Sequence, residues 1–153
     1  MFKLGVLILT IMLIYGGLYA VISIITPEPI IKGTIYGATG KSLDEARSDG
    51  YLKGFTTLCR DAGIFGLSLV ILGLYVLYTE FRKGRRWAWI AFLITGCLAW
   101  LGGFGISISV MDWMNVLIRL VGAGILLLGL IITAKRVFGK KETTEGSNNV
   151  TNN

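Results

Sequence analysis

Four long apolar stretches, at residues 4–25, 62–79, 87–110 and 115–134, constrain this chain more than any other feature. A helix of about 20 apolar residues crosses a hydrocarbon core ~30 Å thick, so each stretch is long enough to span, with 62–79 the shortest. Of the 153 residues, 54% are hydrophobic and only 16% charged, which leaves no room for a separate soluble domain. The expected fold is therefore an all-α membrane protein, a single four-transmembrane-helix bundle over residues 1–141. The connection at 26–61 would form an outer loop and residues 142–153 a disordered, polar cytoplasmic tail.

The charge distribution sets an orientation. Arg82, Lys83, Arg85 and Arg86 crowd between the second and third stretches; Lys135, Arg136, Lys140 and Lys141 follow the fourth; Lys3 precedes the first. Lysine and arginine accumulate on the cytoplasmic side of short connections, which puts both termini inside. The 26–61 loop balances five basic residues with five acidic ones, and residues 107–114 carry no lysine or arginine. The net charge of +6 thus points to anionic lipid head groups, touched by Arg82, Lys83, Arg85 and Arg86, rather than to nucleic acid. The first stretch has the outline of a signal peptide. It exceeds the usual ~7–15 apolar residues, and Leu18-Tyr19-Ala20 lacks the small-x-small pair that precedes a cut, so it reads as a span.

Within the loop, Pro27 and Pro29 end the first helix, residues 30–36 favour extended structure, and Gly33, Gly37 and Gly40 mark turns. Ser42-Leu43-Asp44-Glu45 is a capping box that predicts a short helix in the outer loop, with Gly50 and Gly54 as possible breaks before the second span. Gly37-Ala38-Thr39-Gly40-Lys41-Ser42 has the outline of a phosphate loop, but the motif's first glycine would fall at Ile35.

Arg119 is the charge that needs a reason. A fourth helix beginning after it would have only about 15 residues and measure ~22 Å, so Arg119 must lie inside the span, near its outer edge. Asp61, at a similar level on the second span, is the expected ion-pair partner, with Asp112 as second choice. An intramembrane charge marks either a substrate pathway or a helix-pinning pair, and the shallow depth favours pinning.

Small residues predict packing seams at Gly16 and Ala20, at Ala62 and Gly66, and at Thr95, Ala99 and Gly103, because close backbone approach drives helix association in lipid. Tyr15, Tyr19 and Ser23 on the first span, with Ser68 and Tyr75 on the second, form polar stripes expected to face the bundle; Tyr15, Tyr19, Ser68 and Tyr75 are the candidate lining of a polar cavity. Trp87 and Trp89 at the inner boundary and Trp113 at the outer one fit interfacial belts. The two cysteines, Cys59 and Cys97, differ by roughly 15 Å in depth, too far for a bridge. The chain has no histidine, which excludes histidine-ligated haem or metal and histidine acid-base catalysis, and no cofactor site is legible.

Phe81-Arg82-Lys83-Gly84-Arg85-Arg86-Trp87-Ala88-Trp89 resembles the basic-glycine-basic-tryptophan junction of small, uncharacterised prokaryotic four-helix membrane proteins, including DoxX-like ones. The resemblance implies a four-helix architecture. DoxX-like proteins are associated with membrane redox complexes, and the chain offers no redox ligands to carry that chemistry over. Two functions are expected. The first is a non-catalytic accessory or interaction subunit with a membrane protein partner, or a homo-oligomer. The second is a small-molecule carrier or lipid- or quinone-binding protein with an outward-opening cavity around the tyrosines and Arg119.

Overall fold

The computed structural model describes residues 1–139. Lys140, Lys141 and the 142–153 tail lie outside the described residues. Seven α-helices succeed one another along the chain: α1 (Phe2–Ile25), α2 (Glu28–Thr39), α3 (Leu43–Ser48), α4 (Tyr51–Thr79), α5 (Arg86–Cys97), α6 (Gly103–Ser109) and α7 (Trp113–Phe138), with no strand among the described residues. Four helical segments, Phe2–Ile25, Tyr51–Lys83, Arg86–Ser109 and Trp113–Phe138, are long and apolar enough to cross a membrane. At 1.5 Å per residue even the shortest exceeds the ~30 Å hydrocarbon core.

α1 packs against both α4 and α7, and α7 also packs against α5 and α6. α4 and α5 approach each other less closely and are joined by the Phe81 and Phe92 rings, whose centroids lie 5.4 Å apart. Glycines set the closest approaches. A Cβ on Gly63 would stand 2.9 Å from the Ala20 carbonyl of α1, and one on Gly66 3.5 Å from the Ala20 Cβ. On α7, a Cβ at Gly129 would stand 2.8 Å from Leu9. Leu9, Met12 and Leu13 of α1 then pack with Leu77, Phe81, Ala88, Phe92, Leu126 and Leu130 into the main core.

Two predicted seams are displaced. Ala62 is exposed and Gly63 makes the contact; Thr95 and Ala99 are exposed, whereas Gly103 is buried and Gly96 faces Leu126. The second shift has a local cause. Leu98–Gly102 forms a π-helical turn between α5 and α6, and the extra residue per turn rotates the face of α6 relative to that of α5. The turn carries Trp100, which stacks on Tyr15 with ring centroids 5.8 Å apart and covers Gly16 of α1 and Gly122 of α7. Trp89 also turns inward, its indole N–H donating to the Leu130 carbonyl at 3.1 Å, while Trp87 and Trp113 stay exposed.

The connection after α1 departs most from expectation. Residues 28–39 are helical, not extended. Pro27 occupies the N-cap and Pro29 the first turn, where a missing N–H costs nothing, so the prolines start α2 as well as ending α1. Ile31 and Ile35, four apart on one face, bury against Ala46 with Leu43, Leu52, Phe55 and Cys59 packed around them, and this burial outweighs the extended preference of β-branched residues. Gly40, at φ 70°, closes the helix with its N–H on the Tyr36 carbonyl. Ser42 caps α3: its Oγ accepts the Glu45 N–H at 3.3 Å, and Glu45 Oε2 accepts the Ser42 N–H at 2.7 Å. Gly50 (φ 78°) breaks the chain before α4, whereas Gly54 stays helical. The fourth helix therefore begins at Tyr51, eleven residues before its apolar stretch, because helical backbone satisfies itself in either solvent.

Candidate functional site

Asp112 opens α7. Its Oδ1 accepts the Asn115 N–H at 3.3 Å, an N-cap that satisfies one of the free amides of the first turn. The preceding Met111, at φ 53°, turns the chain sharply from α6 to place it there. Asp112 is only 2% exposed and Asn115 4%, so their remaining polar atoms need internal partners. Asp112 Oδ2 accepts from Thr34 Oγ1 and from Asn115 Nδ2, both at 2.7 Å. Asn115 Nδ2 donates again to the Ile30 carbonyl at 2.8 Å, and Asn115 Oδ1 accepts the Tyr19 hydroxyl at 3.0 Å. One polar cluster thus ties α1, α2 and α7 together.

α2 reaches this cluster because it has no side chain in the way. A Cβ on Gly33 would stand 2.6 Å from Asp112 Cγ, and one on Gly37 would overlap the Val110 carbonyl. The two glycines that the sequence marks as turns are instead the docking face of a helix.

Arg119 lies one turn beyond Asn115, inside α7. Its guanidinium fills the space above Gly103, and its Nε is buried without a hydrogen-bond partner among the described residues. The predicted ion pair with Asp61 does not form: Asp61 is exposed, and neither residue joins any ion pair among the described residues. α4 and α7 each pack against α1, and Asp61 is an exposed residue of α4. Asp112, the second choice, spends its carboxylate on Thr34 and Asn115.

The predicted polar cavity divides. Tyr15 donates to the Ile118 carbonyl at 3.2 Å and Tyr19 joins the Asp112 cluster, so both face the bundle. Tyr75 is 67% exposed, and Ser68 is exposed with its hydroxyl on its own Ile64 carbonyl, so these two face outward and line nothing with the tyrosines of α1.

At the opposite, basic end a groove of about 510 Å³ lies between α1, α4 and α7, lined by Phe2, Lys3, Val6, Leu7, Thr10, Tyr78, Arg82 and Arg136. The Arg136 guanidinium rests 4.3 Å from the Phe2 ring centroid and that of Arg82 5.5 Å from the Tyr78 ring. Thr10 gives its proton to the Val6 carbonyl at 2.9 Å, so the 3.2 Å contact between the two hydroxyls is donated by Tyr78. Glu80 is the one carboxylate of this end among the described residues, and it pairs with Lys83 at 2.7 Å and Arg85 at 3.7 Å.

No family model, curated protein or solved structure matches the chain. Its chemistry must be read from these side chains.

Among the described residues no group of histidine, cysteine, aspartate or glutamate could hold a metal, and Cys59 and Cys97 are both free thiols. The basic residues predicted to touch lipid are divided in role. Arg82 lines the groove, Lys83 and Arg86 line a smaller hollow of about 200 Å³ beside it, Arg85 turns to Glu80, and Arg86 lies 5.9 Å from the Phe138 ring. Lys3 and Arg136, which the sequence offers only as markers of topology, complete the groove. Asn115 and Thr34 are absent from the sequence prediction. Asp112 three residues before Asn115, at the start of an apolar run, is the helix-start signal that marks the first of them.

Proposed function

We propose that this chain is a small integral membrane protein of non-catalytic character, an accessory or interaction subunit for another membrane protein or for a second copy of itself. Its basic end and both termini lie in the cytoplasm, against anionic lipid, and α2 and α3 cover the outer side. The observation that carries this reading is the closure of the Asp112 cluster: Thr34, Asn115 and Tyr19 spend their polar atoms on one another and on backbone, which suits a fixed scaffold better than a transport path. The concentration of Arg82, Lys83, Arg85, Arg86, Lys135 and Arg136 at one end supports the orientation. The resemblance of Phe81 to Trp89 to the junction of DoxX-like four-helix proteins fits the same architecture.

Arg119 favours one second reading. A buried guanidinium nitrogen without a partner suits an anionic or quinone-like ligand entering beside Tyr19. Ser68 and Tyr75 take no part in it.

Native mass spectrometry of the protein extracted from its own membrane separates the two. A stoichiometric second polypeptide or second copy supports the accessory role, and a retained quinone or other small molecule that is not a membrane phospholipid, on a lone chain, overturns it. Cysteine labelling at Arg85→Cys and Asp49→Cys tests orientation; labelling of both from outside contradicts it.

A further inference from the structure

We propose that the groove between α1, α4 and α7 at the basic end is a specific site for one anionic phospholipid. Its phosphate would sit among Lys3, Arg82 and Arg136, and its glycerol and first acyl carbons along Val6, Leu7 and Thr10. Three observations converge on that occupant. First, the groove is graded along the helices: Lys3 lies at the start of α1, Arg82 just after α4 and Arg136 near the end of α7, and Thr10 is seven residues, about 10 Å, farther along α1 than Lys3. A head group followed by an acyl chain has that same sequence of polarity over that distance. Second, both guanidiniums are laid on aromatic rings, Arg136 on Phe2 and Arg82 on Tyr78. A guanidinium held over a ring is confined beside the groove, and its N–H donors suit phosphate oxygens. Third, Glu80 is engaged by Lys83 and Arg85, and the three groove cations join no ion pair among the described residues. Their charge is directed at the groove rather than neutralised within the described fold. The volume of about 510 Å³ falls within the ~300–1,000 Å³ of small-molecule sites.

The inference deepens the lipid contact of the proposed function and rests on its membrane setting, but not on its orientation. The test is native mass spectrometry of the full chain in detergent, titrated with phosphatidylglycerol or phosphatidylcholine. Wild type should retain one phosphatidylglycerol in preference to phosphatidylcholine. Arg82→Gln and Arg136→Gln should each weaken that retention about fivefold, the effect of one basic charge near a phosphate surface. Lys83→Gln and Arg85→Gln remove equal charge a few residues away and should change it less than about twofold. Lys3→Gln alters an exposed residue outside the core, so its predicted loss of retention can be read even if an arginine variant misfolds. Equal loss in all five variants, or equal retention of the two lipids, overturns the site in favour of diffuse surface charge. Displacement of phosphatidylglycerol by an equal concentration of glycerol 3-phosphate overturns the lipid assignment in favour of a soluble phosphate. Reversed cysteine labelling would fail the orientation alone, since the micelle measurement has no sides.

Discussion

Gly103 leaves open the space that the Arg119 guanidinium occupies. A Cβ on Gly103 would overlap that group and stand 3.1 Å from Nε. The missing side chain on α6 thus lets a charged one on α7 lie against the neighbouring helix, its aliphatic stem covered.

The obstacle at Gly103 is the end of a flexible side chain, so Gly103→Ala should push the guanidinium aside at little cost. We expect its stability in detergent to stay within about 1 kcal/mol of wild type, partly offset by the better helix propensity of alanine. Gly37→Ala meets the Val110 backbone carbonyl, which cannot swing away, and should cost about 1–3 kcal/mol with loss of α2 docking. Thermal unfolding followed by circular dichroism checks the order; equal effects would contradict it.

Asp61 and Arg119 should behave as independent sites. Reversing both charges, Asp61→Arg with Arg119→Asp, should not recover folded yield lost by Arg119→Asp alone, and the coupling from a double-mutant cycle should fall below about 0.5 kcal/mol. Recovery in the double variant would restore the ion pair that the geometry excludes.

Asp112→Ala should be the most damaging polar truncation. It strands the Thr34 hydroxyl and two Asn115 donors away from solvent, at about 1–3 kcal/mol for each buried group left unpaired. Thr34→Val removes one donor and leaves Asp112 bonded to Asn115, so it should cost less. Chemical unfolding of both variants measures the difference.

The α3 cap should fail in acid. The Ser42 backbone N–H and then its hydroxyl hold the Glu45 carboxyl below its ordinary value of 4.5. A carboxyl depressed on folding contributes stability above its unfolded pKa and loses it as pH falls through the folded one. Protection of the amides over residues 46–49, relative to their intrinsic exchange rate at each pH, should therefore fall as pH drops below about 4.5. Ser42→Ala should flatten that dependence; an unchanged profile in the variant would show that the cap is not its source.

The helical class and the four span-length apolar helices were legible because they are local properties of the chain. Four apolar runs and the serine-glutamate spacing at 42–45 need no knowledge of neighbours. The placement of Arg119 within a span followed from length alone, and α7 includes it. Its partner did not follow, because depth along a helix leaves rotation about its axis undetermined, and Asp61 is exposed while Arg119 lies against Gly103 of α6. Rotation also separates Ser68 and Tyr75 from Tyr15 and Tyr19. At Thr95 and Ala99 the π turn adds a change of phase that the residue spacing does not carry.

The sequence by itself determined that apolar helices long enough to span dominate this protein, and that basic charge gathers at one end, since hydropathy and charge belong to residues. Only the tertiary structure decided that Gly33 and Gly37 admit α2 to the Asp112 cluster, that Gly103 admits Arg119, and that Lys3, Arg82 and Arg136 share one groove. Those relations join residues distant in the chain. They depend on which helices adjoin and how each is rotated, and that is fixed by packing of whole faces rather than by any one segment.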